Sequence, residues 1–548
     1  MGPNESEATP QLLAGKIVNK YFPEATACMI IGSLAGKAES ADARDLDLII
    51  VAPFAFNSGV QNLTTELGKV DVTILPQHNF EYILLNEVFS GKHMSSFVYG
   101  LQQGEIVFDT DGRLAYYQAI AKSYQDEKHT IFSFRPEVFM EYVFAANKYL
   151  SDYAHKTDVL ESFLLKEKLI NSILDLESLF TVGWLFQGKI KGRYLKARNP
   201  AMAAALEGIL AMSDGVETHK ALVDWATGYL AHFAKLIEAY VPKYRRQIFQ
   251  GDTCLLQFAD AVAYKQVVHR LFQLLNTDTE LSPINIYALS RPFRILNSHH
   301  YLIAIKGNPQ LLQKKLLPLF EEVRDKFQFC QPSYQRLLEV FFGGTQSMEA
   351  CQQCWSLLSR ERFTEQGSLY EVDTNTALLH IFFFTGMAAN YTQDTMVDFL
   401  EYLLESWLPY AYTDKAHVYL EKTAAMQQIQ SIFAEKLAAQ EASIEKYTQY
   451  LIGEWPHFEA EQPWQKTLYT TVAQLHQQLD GIDQPIHIPA CEAKILKAFN
   501  HAHESTWYVQ KRQLEMVFSL FDENERNWAF LVVFAIAMLK QGRHKDQR

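Results

Sequence analysis

The chain has 548 residues, of which 48% are hydrophobic and 21% charged, and this ordinary globular composition excludes a wholly disordered or low-complexity protein. It carries 50 Lys and Arg against 63 Asp and Glu, so its net charge is −13, which disfavours an extensive nucleic-acid-binding surface. At roughly 100–200 residues per domain, this length predicts about three domains or more.

Residues 1–10 read as a flexible tail without the basic and apolar segments of a secretory signal. The two longest apolar runs, 378–389 and 528–539, are 12 residues each, against the roughly 20 that cross a bilayer. Six cysteines without repeated spacing indicate reduced thiols rather than a disulfide framework. We therefore expect a cytoplasmic protein with no membrane partner.

Short helix and strand patterns alternate over residues 11–125 and predict one small α/β domain. The predicted elements, in chain order, are a helix at 12–21, strands at 26–32 and 45–51, a helix at 60–68, a strand at 69–75, a helix at 79–90 and a strand at 104–109.

Helical spacing of apolar residues then predominates over residues 126–276 and again over 345–548. The polar segment 276–283 predicts a boundary, and 284–344 carries the mixed pattern of a small α/β segment, with a strand at 301–305 and a helix at 310–326. The chain shows no internal repeat of fixed period.

The most informative segment joins the first two predicted strands. The first strand ends at Gly32-Ser33, and the second begins with Asp45-Leu46-Asp47. Because strand side chains alternate between faces, Asp45 and Asp47 share one face while Leu46 enters the core. Asp71 lies between two valines on a strand that can pair beside this one.

Three carboxylates facing one way repel each other, and a divalent cation removes that cost. Carboxylate oxygens are the ligands that Mg²⁺ prefers, with Mn²⁺ as the alternative ion. Gly32 allows a phosphate close to the backbone, and the Ser33 hydroxyl and the following amides can donate hydrogen bonds to it. The pattern thus predicts a site for a metal ion and a phosphorylated ligand.

The order of a hydrophobic strand, Gly32-Ser33, Asp45-x-Asp47 and the later Asp71 resembles the polymerase-beta-like nucleotidyltransferase superfamily. Residues 104–114 also resemble the last core strand and turn of its antibiotic-type members. The resemblance covers residues 12–125 well, 130–200 loosely and 280–548 not at all. It implies an α+β N-terminal nucleotidyltransferase domain, with a small mixed sheet, followed by a large, mainly α-helical remainder.

The resemblance also implies an activity: transfer of a nucleoside monophosphate from a nucleoside triphosphate, the co-substrate, to a hydroxyl of an acceptor, with release of pyrophosphate. Asp45, Asp47 and Asp71 would be metal ligands and catalytic residues, and Gly32 and Ser33 would bind nucleotide. In relatives, a basic stretch of a helical second domain faces the triphosphate. Residues 186–199 hold five cations and no acid, and Arg193 and Lys196 are the candidates there; a solvated basic loop is the plain alternative.

Other interpretations of the chain stay open. The acids can be surface groups at a strand edge, or the domain can bind nucleotide without transferring it. The alternative function is a nucleotide-sensing regulatory or interaction protein, of toxin–antitoxin or defence type, whose C-terminal helical region binds a partner. The acidic balance favours a small-molecule or protein acceptor, and self-association is open. Cys351-x-x-Cys354 lacks a second pair nearby, so buried small side chains are favoured over a zinc or redox site.

Overall fold

The computed structural model of the chain describes most of its residues. These are 9–35, 45–53, 55, 59–65, 68–76, 96–123, 136–156, 158–182, 188–213, 215–245, 253–258, 260–290, 301–323, 326–329, 339, 342–411, 422–452, 459–499, 504–521 and 525–546.

The N-terminal unit combines one sheet with helices. Its elements are α1 Pro10–Tyr21, β1 Ala27–Ile31, β2 Asp45–Ala52, β3 Gly59–Thr65, β4 Gly68–Pro76, α2 Ser96–Gln103, β5 Glu105–Asp109 and α3 Arg113–Ser123.

The five strands lie in the order β3-β4-β2-β1-β5, and the sheet is mixed because β2 and β4 run parallel while the other neighbours are antiparallel. Even-numbered side chains of β1 and β2, such as Ile30 and Leu48, pack on one face with α1. Odd-numbered ones, such as Met29 and Ile49, enter a core shared with α3 and the C-terminal helices. Both faces are therefore covered along most of β1 and β2, which explains their continuous apolar runs.

One predicted element of this unit is wrong. Residues 60–68 were expected to form a helix, but they contain most of β3, which pairs antiparallel with β4 at the sheet edge. Its side chains alternate between intermediate and exposed positions, so no strong apolar stripe marks it as a strand. The helix predicted at 79–90 lies outside the described residues.

A helical bundle follows, with its own apolar core. Its helices are α4 Pro136–His155, α5 Val159–Val182, α6 Gly188–Arg198, α7 Pro200–Leu210 and α8 Gly215–Arg245.

A second sheet forms the next unit. Its elements are β6 Thr253–Phe258, α9 Ala261–Thr277, β7 Asn285–Ser290, β8 Tyr301–Lys306, α10 Pro309–Lys315, α11 Leu317–Glu322 and β9 Phe327–Phe329.

This βαββαβ order, with strands arranged β7-β8-β6-β9 and all neighbours antiparallel, is the topology of ferredoxin-like domains. The boundary predicted at 276–283 is therefore wrong, because it would separate β6 and α9 from the sheet to which they belong. The unit spans 253–329 rather than 284–344, and the helical domain before it ends at α8 rather than at 276.

The remainder is helical over its described residues. The helices are α12 Thr345–Phe363, α13 Thr374–Ala388, α14 Gln393–Ala411, α15 Lys422–Ala438, α16 Glu441–Leu451, α17 Pro463–Asp480, α18 Ala490–Ala498, α19 Glu504–Leu520 and α20 Glu525–Asp546. The predicted fold class, an α+β N-terminal domain followed by a mainly helical remainder, is confirmed. Among the described helices, none combines the length and apolar character needed to span a membrane.

Helix α19 is enclosed on every side, since all residues from Trp507 to Leu520 are buried, charged ones included. Glu492 on α18, itself 1% exposed, lies at the centre of the accompanying ion cluster. Its carboxylate is 3.3 Å from Lys511 Nζ and 3.7 Å from Nη1 of Arg113, at the start of α3. Gly112, with φ +73°, allows this close docking, because a Cβ there would lie 3.2 Å from that of Ala490. The cluster thus joins the N-terminal unit to the C-terminal helices.

The Cys351-x-x-Cys354 pair lies inside α12 with both side chains buried. Burial raises the pKa of the Cys354 thiol to about 12, and burial also raises the pKa of the Cys351 thiol well above its usual range. The thiolate, which is the metal-binding and nucleophilic form, is therefore disfavoured, as expected of buried small side chains.

A buried histidine predicts a pH dependence of stability. His380 on α13 is 1% exposed, and its Nδ1 lies 2.7 Å from the Thr376 carbonyl, so this nitrogen carries the donated proton. Burial lowers the pKa of His380 to about 4. Unfolding restores a pKa near 6.5, so the unfolded chain takes up the proton first as the pH falls.

The stability that depends on a neutral His380 is thus fully present above pH 6.5. It is lost as the pH falls towards 4, and the free energy of unfolding then decreases by about 3 kcal/mol in all. Between pH 7 and pH 4.5, the free energy of unfolding in urea should fall less in His380→Gln than in wild type. The expected difference between the two falls is about 2–3 kcal/mol. His269→Gln, at a histidine whose side chain is 40% exposed, is the control and should keep the wild-type dependence of the unfolding free energy on pH. If the unfolding free energy of His380→Gln depends on pH as in wild type, burial of neutral His380 is not the cause of this pH dependence.

Candidate functional site

Two of the three predicted carboxylates lie in one row across the N-terminal sheet. Asp47 on β2 is the register partner of Ile31 on β1 and of Asp71 on β4, and Asp71 is in turn opposite Asn62 on β3. Directly opposed residues in a sheet project to the same face. Asp47, Asp71 and Asn62 therefore lie side by side on the face to which Asp45 also points.

A cation stands in the adjoining row. Lys69 on β4 is the register partner of Asp45 and is exposed, whereas Asp45 is half-buried. Because Lys69 is two residues before Asp71, it shares the face of the three carboxylates. This face therefore combines three acidic groups with one basic group, and the basic group lies on the Asp45 side.

Gly32 closes one side of the site. Its φ is +75°, a conformation that disfavours residues with a Cβ. A Cβ built there would also collide with Oδ2 of Asp47, at a separation that Cβ atoms essentially never show. Asp47 thus lies directly against the exposed backbone that follows β1. Ser33 continues into a short 3-10 helix, Gly32–Leu34, and its side chain lies outside the described parts.

Gly32→Ala tests this packing. The methyl group must both adopt an unfavourable backbone conformation, at a cost of about 1–2 kcal/mol, and displace the Asp47 carboxylate. We expect a lower melting temperature and, for the nucleoside-triphosphate binding that the sequence resemblance implies, a loss on the order of tenfold or more. Gly15→Ala in α1, where a Cβ meets nothing within 4 Å, is the matched control and should bind like wild type. Unchanged melting and binding in Gly32→Ala would contradict the contact.

The donor set suits a hard divalent cation, because oxygen ligands come from neighbouring strands on one face. The space left by the missing Cβ of Gly32 is also filled by a carboxylate rather than by an apolar group. Nevertheless, among the described residues no three His, Cys, Asp or Glu side chains are gathered closely enough to hold one ion in common. For all three carboxylates to bind one ion, their side chains would therefore have to turn towards one another.

The two predicted triphosphate cations lie elsewhere, on α6 of the helical bundle. Arg193 is exposed, and Lys196 forms an exposed ion pair of 2.5 Å with Glu207 on α7. Lys191, five residues before Lys196, is buried and pairs with Asp175 at 2.6 Å. Within the described residues, the basic stretch is thus engaged partly inside the bundle.

Two polar residues of this face, Lys69 and Asn62, were not predicted from the sequence. The alternation that joined Asp45 to Asp47 applies equally to Lys69 and Asp71, so Lys69 carried a usable signal. Asn62 did not, because its segment was predicted to be a helix, and only the pairing of β3 with β4 places it beside Asp71.

Comparison with known proteins adds little. No protein-family model matches the chain, and no curated protein matches it. Among solved structures, it is similar to a nucleotidyltransferase-like protein from Exiguobacterium sibiricum, with 12% identity and a TM-score of 0.26 over 54% of this chain and 99% of that one. A likeness at this TM-score carries no argument about fold or activity.

Proposed function

We propose that the chain is a nucleotidyltransferase that moves a nucleoside monophosphate from a nucleoside triphosphate to a hydroxyl group of an acceptor, releasing pyrophosphate. The observation that carries the proposal is the placement of Asp47 opposite Asp71, with Asp45 on the same face and Gly32 against Asp47. This arrangement places oxygen ligands beside the exposed backbone of Gly32.

Each residue has a distinct part in the proposal. Asp45 and Asp47 bind the divalent cation that accompanies the triphosphate. Asp71, exposed beside them, is placed to ligate as well and to accept the proton of the acceptor hydroxyl. Gly32 and Ser33 hold the phosphates through backbone amides and the serine hydroxyl. Lys69 adds a positive charge on the same face.

Bound Mg²⁺, or Mn²⁺, would supply charge neutralisation at the phosphates. Arg193 and Lys196 are retained as candidate triphosphate cations, but Lys196 would first have to leave Glu207. The acceptor is proposed to be a small molecule or a protein, in keeping with the net charge of −13.

The test uses the full chain, Mg²⁺ and each α-phosphate-labelled nucleoside triphosphate in turn. Acceptors are pools of hydroxylated small molecules, unrelated proteins and the chain itself. We expect label transfer with equal release of pyrophosphate, and transfer reduced by about 10²-fold or more in Asp47→Asn. Magnesium-dependent triphosphate binding without any transfer would instead support a nucleotide-sensing regulatory protein, and absence of binding would contradict both proposals.

A further inference from the structure

Four large apolar side chains lie in solvent at the start of α5. Val159 is 84% exposed, Leu160 67%, Phe163 61% and Leu164 48%. The opposite side of this helix is buried in the bundle core, where Leu169 lies. Residues 160, 163 and 164 recur at helical spacing, so with Val159 they form one strip on the outer side, here called the α5 stripe. A contiguous apolar surface of this kind indicates a contact surface.

The same end of the bundle is apolar on a second segment. The Tyr153 ring, near the end of α4, lies 4.4 Å from the ring of His219 in α8. The start of α8 therefore lies at the end of the bundle where α4 turns into α5. Val216, about one turn before His219, is 78% exposed there. Two segments distant in sequence thus expose apolar groups at one end of the bundle.

The charges beside the α5 stripe indicate what covers it. Glu161 and Lys168 are both exposed and lie about two helical turns apart, so they flank the same side of the stripe, acid first and base second. When two such helices pack antiparallel about a two-fold axis, equal flanks meet. Glu161 of each chain then faces Lys168 of the other, whereas parallel packing about a two-fold axis brings opposite flanks together and leaves these two residues apart.

Contacts within the chain hold both groups near these positions. Glu161 pairs with Lys156 at 2.6 Å, and Lys168 Nζ lies 5.8 Å from the centre of the Tyr149 ring. The flank is therefore partly ordered before any partner arrives, which lowers the entropy cost of association.

We propose that a second copy of this chain covers the α5 stripe, forming an antiparallel two-fold homodimer centred near Phe163 and Leu164. The apolar side chains of the stripe supply the buried area, and the two Glu161–Lys168 pairs select the antiparallel orientation. The proposal is independent of the chemistry at the carboxylate site.

Light scattering after size-exclusion chromatography of the full chain, over a range of concentrations, tests the contact. We expect wild type at twice the chain mass of 62.9 kDa and Phe163→Glu at the chain mass. Val262→Glu, at an apolar side chain of α9 that is 62% exposed, is the control and should remain dimeric. Matching circular dichroism melts establish that the variants fold. A monomeric wild type, or a dimeric Phe163→Glu, overturns the proposal.

Charge reversal tests the orientation. Glu161→Lys and Lys168→Glu should each raise the dimer dissociation constant about tenfold, because each places like charges together twice. The double variant reverses both pairs and should restore wild-type dimerisation. Failure of the double variant to recover overturns the antiparallel arrangement.

Discussion

Asp47→Asn is expected to reduce nucleotidyl transfer by about 10²-fold or more, because it removes the charge of the carboxylate that lies between Gly32 and Asp71. The fold should survive, since the side chain is only half-buried and asparagine has nearly the same shape. Without a cation, the variant should melt at or above the wild-type temperature, because one of three neighbouring negative charges is gone.

Addition of Mg²⁺ with a nucleoside triphosphate should then separate the two proteins. Wild type gains stability in proportion to ligand binding, and Asp47→Asn should gain little. Asp45→Asn should behave in the same way, and Asp224→Asn, at an exposed position of α8, should match wild type in both measurements. Near-normal transfer in both site variants would remove the carboxylates from the mechanism.

Glu492→Gln is expected to lower the free energy of unfolding by about 3–5 kcal/mol, the cost of removing one partner from a buried ion cluster. Glu492 is 1% exposed, and its carboxylate also lies 3.5 Å from the Tyr402 hydroxyl. Glutamine keeps the shape but removes the anion that faces two buried cations, Lys511 and Arg113. Because Arg113 belongs to the N-terminal unit, the loss should appear there as well as in the C-terminal helices.

Urea unfolding followed by tryptophan fluorescence measures this effect. The control is Glu401→Gln, whose partner Lys540 lies 3.1 Å away with both side chains about half exposed. An exposed pair is worth about 1 kcal/mol or less, so this variant should unfold close to wild type. If the free energy of unfolding of Glu492→Gln also changes by less than about 1 kcal/mol, the ion cluster does not stabilise the contact between the N-terminal unit and the C-terminal helices.

The part of the site that could be predicted depends on strand alternation alone. Asp45 and Asp47 flank the buried Leu46, and Asp71 lies between buried valines, so a local pattern of period two suffices to orient them. Their chemical roles remain predictions. The parallel pairing of β2 with β4 brings Asp47 and Asp71 together in register, and pairing of this kind was only an expectation from the sequence.

Edge strands and domain limits were harder to predict. In β3 the inward side chains are only half-buried, so its sequence lacks the apolar alternation of a strand. Strand β6 has only six residues and lies between two long helices, α8 and α9. It was therefore predicted as part of the helical domain. Its place became apparent only through pairing with β8 and β9, which lie far along the chain.

Helix α19 shows a different limit. Its Lys511 and Arg512 would mark a solvent-facing side in an ordinary amphipathic helix, yet both are buried. Glu492 and Glu515, each within 3.3 Å of one of these cations, compensate their burial. Such compensation depends on tertiary neighbours, and a single sequence carries no local signal of it.

The most direct measurement of the central claim is a calorimetric titration of the full chain with a nucleoside triphosphate analogue that cannot be cleaved at the α-phosphate. It is performed with Mg²⁺ and with EDTA, on wild type and on Asp47→Asn. We expect binding to wild type in Mg²⁺, with markedly weaker binding in EDTA and in the variant. No binding by any of the common nucleoside triphosphate analogues, or equal binding in all four conditions, would contradict it.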